Sequence, residues 1–319
     1  MKIVVLEADS VGKDVSWEPL KQFGDVELYE ATPQENVAER IREADIVIPN
    51  KCLLNEENLK DASKVKVICE AATGYNNIDL AYCKQRGIVV TNVKAYSTDV
   101  VAQHTFAMLL SLYEKLDYYT TYVEDGDYSR GRAFSNVSRP FHELAGKCYG
   151  IIGLGNIGRK VAEIATAFGA QVIYYSASGR TYDVPYENVT FDELLTRSDV
   201  ISIHAPLNEA TKGIMNLEAF QKMKQTAVLI NVGRGPIVVE KDLVRAIEDC
   251  MIAAAGLDVY EVEPLPKDSP LLQVRNRDRL MLTPHVAWGS VEARTRLVED
   301  ICKSIQAFLD GTPRSVVEE

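Results

Sequence analysis

Several apolar runs in the second half of the chain end in groups capable of acid–base or ionic chemistry. Val200-Ile201-Ser202-Ile203 leads into His204-Ala205-Pro206-Leu207-Asn208, and Ala227–Asn231 leads into Val232-Gly233-Arg234-Gly235. Ala253–Leu257 is followed by Asp258-Val259-Tyr260-Glu261-Val262-Glu263-Pro264, and Leu280–Leu282 by Thr283-Pro284-His285-Val286-Ala287-Trp288. Short, near-continuous apolar runs of this kind suit parallel strands covered on both faces. In an open α/β sheet, ligands collect at the carboxyl ends of the strands. An arginine, a glutamate and a histidine meeting there would serve hydride transfer at a carbon next to a carboxylate. Arg234 would hold the carboxylate by a two-pronged hydrogen bond, and His285 would give or take the hydroxyl proton. A carboxylate such as Glu263 on the other imidazole nitrogen fixes the tautomer and favours the protonated ring. Singly, each residue has a plainer reading: a surface turn at Arg-Gly, a packed histidine after proline, a solvated acidic loop at Glu261 and Glu263.

Hydride transfer calls for a dinucleotide, and a stretch suited to one lies upstream. Cys148–Ile152 reads as a strand running into Gly153-Leu154-Gly155-Asn156-Ile157-Gly158, which fits G-x-G-x-x-G. These glycines permit a tight turn, close backbone approach to a pyrophosphate, and close helix–strand packing. Ile157, Val161, Ile164, Ala165 and Phe168 then recur at helical spacing up to Gly169, a helix stop. The helix would point its unpaired N–H groups and positive dipole end at the phosphates. Gln171–Tyr175 reads as the next strand, followed by Ser176-Ala177-Ser178-Gly179-Arg180. An acidic residue about twenty positions past the glycines normally binds the ribose 2′-OH; Ser176 stands at that position. Serine hydroxyls do not repel a 2′-phosphate and Arg180 could pair with it. The expected cofactor is NAD(P)H, with NADP favoured over NAD.

The elements that must position these groups alternate along the chain. Lys2–Leu6, Val26–Tyr29, Ile46–Pro49, Val65–Glu70 and Ile88–Asn92 read as strands, with helices at Glu35–Glu43 and Asp79–Gln85. That rhythm implies a parallel sheet with right-handed crossovers. Ala8–Gly12, after the first strand, does not match a phosphate loop, so this half has a different task. Thr98 to Lys115 reads as a helix with Ala102, Phe106, Leu109, Leu110 and Tyr113 as its stripe. It would carry the chain from one domain to the other. The polar, tyrosine-rich stretch with Tyr118, Tyr119, Tyr122 and Tyr128, continuing into Arg130–Pro140, is either a surface loop or a subunit interface. Ser290–Leu309 reads as a long amphipathic helix with Val291, Leu297, Ile301, Ile305 and Phe308, able to return to the first domain. His104 and His142 take structural readings.

The 319 residues suffice for two domains, and 46% hydrophobic with 25% charged residues is the composition of a soluble globular protein. A net charge of −11 argues against nucleic acid or an anionic membrane as the main partner. No apolar run is long enough to span a bilayer, and the N-terminus opens on a strand rather than a signal-peptide layout. Six scattered cysteines read as buried thiols of a cytoplasmic protein, not as disulfides or a metal site.

Taken together, the glycine turn, His204-Ala205-Pro206-Leu207, Asn231–Gly235, Gly256–Pro264, Thr283-Pro284-His285 and, in the first half, Thr73-Gly74-Tyr75-Asn76-Asn77-Ile78-Asp79 resemble the D-2-hydroxyacid dehydrogenases over the whole chain. The resemblance implies an α/β protein of two doubly wound parallel-sheet domains. A flavodoxin-like substrate domain would comprise residues 1–98 plus 290–319, and a Rossmann domain 99–289. The active site would lie in the cleft between them, and the protein would be a homodimer. Carried over by motif, Arg234, Glu263 and His285 are catalytic. Cofactor contacts fall at Gly153, Gly155, Asn156, Ile157, Gly158, Ser176, Ser178, Arg180, His204, Ala205, Pro206, Thr211, Asn231, Val232 and Gly233, with Asp258 near the nicotinamide carboxamide. The backbone at Thr73 and Gly74 would help hold the substrate carboxylate. Side-chain selection would fall to Lys51, Cys52, Leu53, Tyr75, Tyr96 and Trp288.

Thr283–Trp288 with the serine-glycine turn is most similar to glycerate dehydrogenases and hydroxypyruvate reductases. The expected reaction is reduction of hydroxypyruvate, glyoxylate or a related small 2-oxo acid, and its reverse. Glu263 disfavours the formate-oxidising branch, which replaces that glutamate. The alternatives are a reductase for bulkier 2-oxo acids, phenylpyruvate or branched-chain, and a non-catalytic dinucleotide-sensing corepressor-like scaffold. The acidic chain without a basic arm argues against the last.

Overall fold

Every pairing between named strands is parallel, as strands joined by helical crossovers must be. The chain is described here, over residues 1–317, by a computed structural model. It divides into two compact units: Met1–Ser97 with the segment from Gly289 onward, and Thr98–Trp288.

The first unit is built on β1 (Lys2–Val5), β2 (Asp25–Leu28), β3 (Ile46–Ile48), β4 (Val67–Cys69) and β5 (Val89–Thr91). Their spatial order is β2-β1-β3-β4-β5, the flavodoxin-like arrangement. The strands are shorter than their apolar runs. β3 stops at Ile48 because Pro49 has no N–H to donate. The expected helix over 35–43 is a 3₁₀ turn, Gln34–Asn36, running into one α-helical stretch, Val37–Ile41. The helix Val291–Leu309 packs on β4 and on the short helix Glu18–Phe23. Ser290 caps it, accepting the Ala293 N–H at 3.2 Å, and Leu297, Val298, Ile301 and Ile305 line its buried face. Val291, expected in that stripe, is exposed on the first turn.

The second unit holds β6 (Cys148–Ile152), β7 (Gln171–Tyr175), β8 (Glu187–Asn188), β9 (Val200–Ile203), β10 (Val228–Asn231), β11 (Ala254–Leu257) and β12 (Leu280–Leu282), in the order β12-β11-β10-β9-β6-β7-β8. The chain reverses its direction of winding between β6 and β9, where a doubly wound sheet opens its ligand crevice. The register pairs Ile152 with Ile203, Ile203 with Asn231, Asn231 with Leu257, and Leu257 with Leu282. Five strands therefore end level, and the residues that follow them share one edge.

The helix Thr98–Glu114 belongs to this unit and packs on the helix Asn156–Ala167 and on β10, β11 and β12. It is buried over more than one stripe, with Thr105, Met108 and Leu112 inside as well as Ala102, Phe106, Leu109 and Tyr113. The tyrosine-rich stretch is not a loop at its start: Leu116–Glu124 and Asp127–Arg130 are helical. Tyr118 and Tyr122, one turn apart, bring their ring centroids within 6.2 Å, and the Tyr119 hydroxyl donates to the Arg139 carbonyl at 2.7 Å. Those contacts, invisible in a hydrophobic-period reading, hold the helix. All six cysteines are free thiols, but only Cys52, Cys69, Cys83 and Cys302 are buried; Cys250 is exposed. Among the described residues no helix is long and apolar enough to cross a membrane.

Candidate active site

The glycine turn leaves β6 with Gly153 at φ +93°, its N–H bonded to the Tyr175 carbonyl at 3.0 Å. A Cβ on Gly153 would meet the Ala205 backbone nitrogen at 2.7 Å, so the turn and the loop after β9 touch through bare backbone. A Cβ on Gly158 would run into the Gly153 carbonyl oxygen, which holds the helix against the strand. Gly155 is the opposite case: a Cβ there meets nothing within 4 Å. It caps the 12-residue helix Asn156–Ala167 without any side-chain hydrogen bond, so the first-turn N–H groups face that opening. Two tight glycines and one facing open space fit a pyrophosphate at this turn.

Along the same edge, Asn231 ends β10 fully buried. Its side chain accepts the Gly233 N–H and donates to the Arg234 carbonyl, both at 3.1 Å. It thereby shapes the turn that presents Arg234, whose guanidinium donates to the Gly233 carbonyl at 2.8 Å and is half-buried. A Cβ on Gly235 would collide with the Tyr260 carbonyl, so this turn lies directly against the loop that follows β11.

That loop carries the acid pair. His285 Nδ1 lies 2.7 Å from Glu263 Oε2, and Glu263 Oε1 accepts the Tyr260 N–H at 3.0 Å. Both side chains are about one-third exposed, 32% and 33%, so the pair is open to a small molecule. Glu261 is engaged elsewhere: its carboxylate accepts the Glu240 N–H at 2.8 Å, and its own N–H donates to the Glu240 carboxylate at 2.7 Å. The structure thus separates two glutamates that the sequence leaves side by side. His285 has a left-handed backbone, φ +52°, which is uncommon outside glycine. Asp258, fully buried, accepts the Val286 N–H at 2.8 Å and the Ala287 N–H at 2.9 Å, fixing the peptides that follow. Tyr260, whose hydroxyl burial pushes up to about 12, donates to the Thr283 carbonyl at 2.8 Å.

A cationic fork, an imidazole with its partner carboxylate and a phosphate-ready turn on one sheet edge suit transfer of a hydride to a carbonyl beside a carboxylate. The family model for the NAD-binding domain of D-isomer specific 2-hydroxyacid dehydrogenases matches residues 106–287. The chain belongs to that family. A hydroxypyruvate reductase of Blautia hydrogenotrophica is 37% identical over 326 residues, covering 100% of both chains. A glycerate dehydrogenase of Methylorubrum extorquens is 35% identical over 323 residues, 99% of both. Among solved structures, an NADPH-dependent glyoxylate/hydroxypyruvate reductase of Sinorhizobium meliloti, in complex with NADP and malonate, is 26% identical with a TM-score of 0.83, over 99% of this chain and 96% of that one. This dehydrogenase is of the glycerate dehydrogenase/hydroxypyruvate reductase type.

Within the dehydrogenase, several expected cofactor residues are engaged by the protein itself. The His204 ring bonds to the Ser202 hydroxyl at 2.9 Å, and burial pushes it down to about 3, so it stays neutral. Its backbone N–H donates to the Ile152 carbonyl at 2.8 Å, and its buried Nδ1 has no hydrogen-bond partner among the described residues. Thr211 is buried and donates to the Pro206 carbonyl at 2.7 Å, fastening the loop that Ala205 and Pro206 begin. Val232 is buried beside Asn231. Ser176 and Ser178 place their hydroxyls 3.2 Å apart at the end of β7, and Arg180 is exposed beyond them. Trp288 is half-buried and packs against the core around Val101 and Leu109.

In the first unit, the strand ends carry Glu7, Asn50–Cys52 and the loop from Glu70 to Asn77. Lys51 and Leu53 are exposed, Cys52 and Tyr96 are buried, and Tyr75 packs partly on the core. Thr73 is anchored by its hydroxyl on the Val93 carbonyl at 2.9 Å and by Asn92 on its own carbonyl at 2.7 Å. Two residues, Glu7 and Glu70, have no site reading in the sequence, and a third, His104, has only a structural one. Glu7 collects the N–H groups of Asn50, Lys51 and Cys52 at 2.7–3.0 Å on one carboxylate oxygen. Glu70 is fully buried and bonded to Asn77 at 3.1 Å. His104 reaches Thr283 at 3.2 Å. Glu70 follows β4 directly and Glu7 stands two residues past β1, positions that signal a site edge. His104 lies inside a helix and has no local signature.

Proposed function

We propose that the protein reduces a small 2-oxo acid, hydroxypyruvate or glyoxylate, to the D-2-hydroxy acid and catalyses the reverse, with Arg234, His285 and Glu263 as the working groups. The observation that carries this reading is the 2.7 Å bond from His285 Nδ1 to Glu263, on the edge that also bears Arg234 and the glycine turn. A carboxylate only accepts, so the proton of that bond belongs to Nδ1 and Nε2 is left for the substrate. The doubly protonated ring delivers its Nε2 proton to the carbonyl oxygen, and the neutral ring accepts it back in the oxidative direction. Glu263 stabilises the charged ring and keeps it aimed. Arg234 grips the carboxylate next to the reacting carbon and fixes its orientation. Bound NAD(P)H supplies the hydride. Thr73 and Gly74 of the first unit serve the substrate carboxylate, and Lys51 and Tyr75 of the same unit, with Trp288 of the second, select the side chain; the double anchoring of Thr73 supports its assignment. Purified protein assayed with NADPH and NADH against hydroxypyruvate, glyoxylate, pyruvate, phenylpyruvate and branched 2-oxo acids is expected to turn over hydroxypyruvate or glyoxylate fastest. A bulky acid winning would overturn the substrate assignment. No turnover with dinucleotide still bound would overturn the enzyme reading in favour of a dinucleotide-sensing scaffold.

NADP is the favoured cofactor, supported by the paired Ser176 and Ser178 hydroxyls at the end of β7 and by the exposed Arg180 beyond them. Ser176→Asp is expected to lower kcat/KM with NADPH at least ~10-fold and to spare or improve it with NADH, since one charge-assisted hydrogen bond is worth about 1.5–3 kcal/mol. A wild-type enzyme with a strong NADH preference would sink the assignment.

The protein is further proposed to be a cytoplasmic homodimer. Phe134, Val137 and Phe141 project at 95%, 80% and 52% exposure from the segment after the tyrosine helices, an apolar surface suited to a second copy. Phe134→Asp with Val137→Asp is expected to give a monomer by light scattering; an unchanged mass would move the interface elsewhere.

A further inference from the structure

His104 lies two turns into the helix Thr98–Glu114, far in sequence from the catalytic loop, with its side chain 21% exposed. Its Nε2 stands 3.2 Å from Thr283 Oγ1 and 3.8 Å from Asp258 Oδ1. The first distance is a hydrogen bond and the second is not. Thr283 Oγ1 in turn lies 2.7 Å from Asp258 Oδ1. A hydroxyl has one proton, and both Asp258 oxygens are already acceptors, Oδ1 for the Val286 N–H and Oδ2 for the Ala287 N–H. The Thr283 proton therefore goes to Asp258, and the bond with His104 is donated by Nε2–H. The result is a directed chain in which His104 donates to Thr283, Thr283 donates to Asp258, and Asp258 clamps the two peptides after His285.

The clamp has work to do. The His285 backbone sits in the left-handed region, which is unfavourable for a non-glycine residue and has to be held by its surroundings. Its ring is tied at Nδ1 to Glu263, so the direction of Nε2 depends on where the backbone is held. Thr283 fixes the entry to this turn, being held by Tyr260 on its carbonyl and by His104 on its hydroxyl; Asp258 fixes the exit. A hydrogen-bond chain of this kind is polarised along its length, so loss of the first donor weakens the later bonds.

We propose that His104 is a positioning residue for the acid–base step, holding the Thr283–Ala287 turn, through Thr283 and Asp258, in the one conformation that aims His285 Nε2. This rests on the reading of His285 as the proton donor. His104→Phe, with the thermal transition checked, is expected to lower kcat for 2-oxo acid reduction about 10-fold or more while changing substrate KM and NADPH affinity less than about threefold. His104→Gln, whose amide can still donate to Thr283, is expected to recover most of that loss. Thr283→Val is expected to reproduce the loss, and His104→Phe added to it to cause little more. Wild-type kcat in folded His104→Phe, or in folded Thr283→Val should the first fail to fold, would overturn the proposal, as would a full second loss in the double variant. A parallel His285→Asn assay separates the two readings. If that variant keeps wild-type turnover, the assignment of His285 has failed. If it is inactive while His104→Phe is unimpaired, only the relay has.

Discussion

His285→Asn is expected to lower kcat by 10²- to 10⁴-fold, the range that a well-placed general acid–base group contributes, while NADPH binding by fluorescence titration stays near wild type. Asparagine suits the test because it tolerates the left-handed backbone that His285 adopts, φ +52°, so the turn is not itself a casualty. It cannot carry a proton to the substrate oxygen. Glu263→Gln is expected to be milder, roughly 10- to 100-fold, because its amide oxygen still accepts from Nδ1 and keeps the ring aimed but no longer stabilises the charged ring. The order of the two losses follows from the 2.7 Å contact, in which one residue touches the reacting atoms and the other only its neighbour. His285→Asn retaining more than a tenth of wild-type kcat would remove the histidine from the mechanism. A Glu263→Gln variant worse than His285→Asn would mean that the glutamate itself handles the proton.

The residues legible in the sequence are those whose role is set by position along a strand. Asn231, Asp258 and Thr283 all sit at the ends of apolar runs, and because five strands end level, the residues just past each run assemble the edge without coordinates. The glycine turn was legible for a related reason, since Gly153 and Gly158 are demanded by close backbone contacts. What the sequence could not carry was direction. His204, Asn231 and Thr211 stand beside the cofactor motif, yet their side chains turn inward to Ser202, to the Arg234 turn and to Pro206. His104 lies 179 residues from Thr283, and nothing in a helix repeat announces a partner at that distance. Leu116–Glu124 is helical, with the Tyr118–Tyr122 pair at one-turn spacing along it, where polarity suggested a loop.

Glu70→Gln is expected to stabilise the protein at neutral pH, by about 3 kcal/mol at pH 7, and to do nothing near pH 4.5. Glu70 follows β4 with no exposed surface; one oxygen accepts from Asn77 at 3.1 Å, and the other has no hydrogen-bond partner among the described residues. Burial is the main cause that pushes its carboxyl from the ordinary 4.5 up to about 9; the Asn77 bond and the Lys51 charge pull it down, and the Glu7 carboxylate adds to the rise. The sign is set by linkage. Below pH 4.5 the group is protonated whether the chain is folded or not, and its contribution is intact. Between pH 4.5 and 9 the unfolded chain releases the proton and the folded one keeps it, so stability falls by about 1.36 kcal/mol per pH unit. Above pH 9 both forms are ionised and the penalty is constant. Glutamine is neutral throughout and does not incur it. Denaturant unfolding followed at Trp17, the tryptophan of the first unit, in a Trp288→Phe background would read this unit by itself. A stability difference that widens from pH 5 to pH 8 is the expected result. A difference that does not change with pH would mean that the carboxyl is already ionised, held by Lys51 and by water. A destabilised variant at pH 7 would mean that the unpaired oxygen has a partner that an amide cannot satisfy. The same variant bears on the site, because Asn77 joins Glu70 to the Cys52 carbonyl, and that bond links the loops bearing Lys51 and Tyr75.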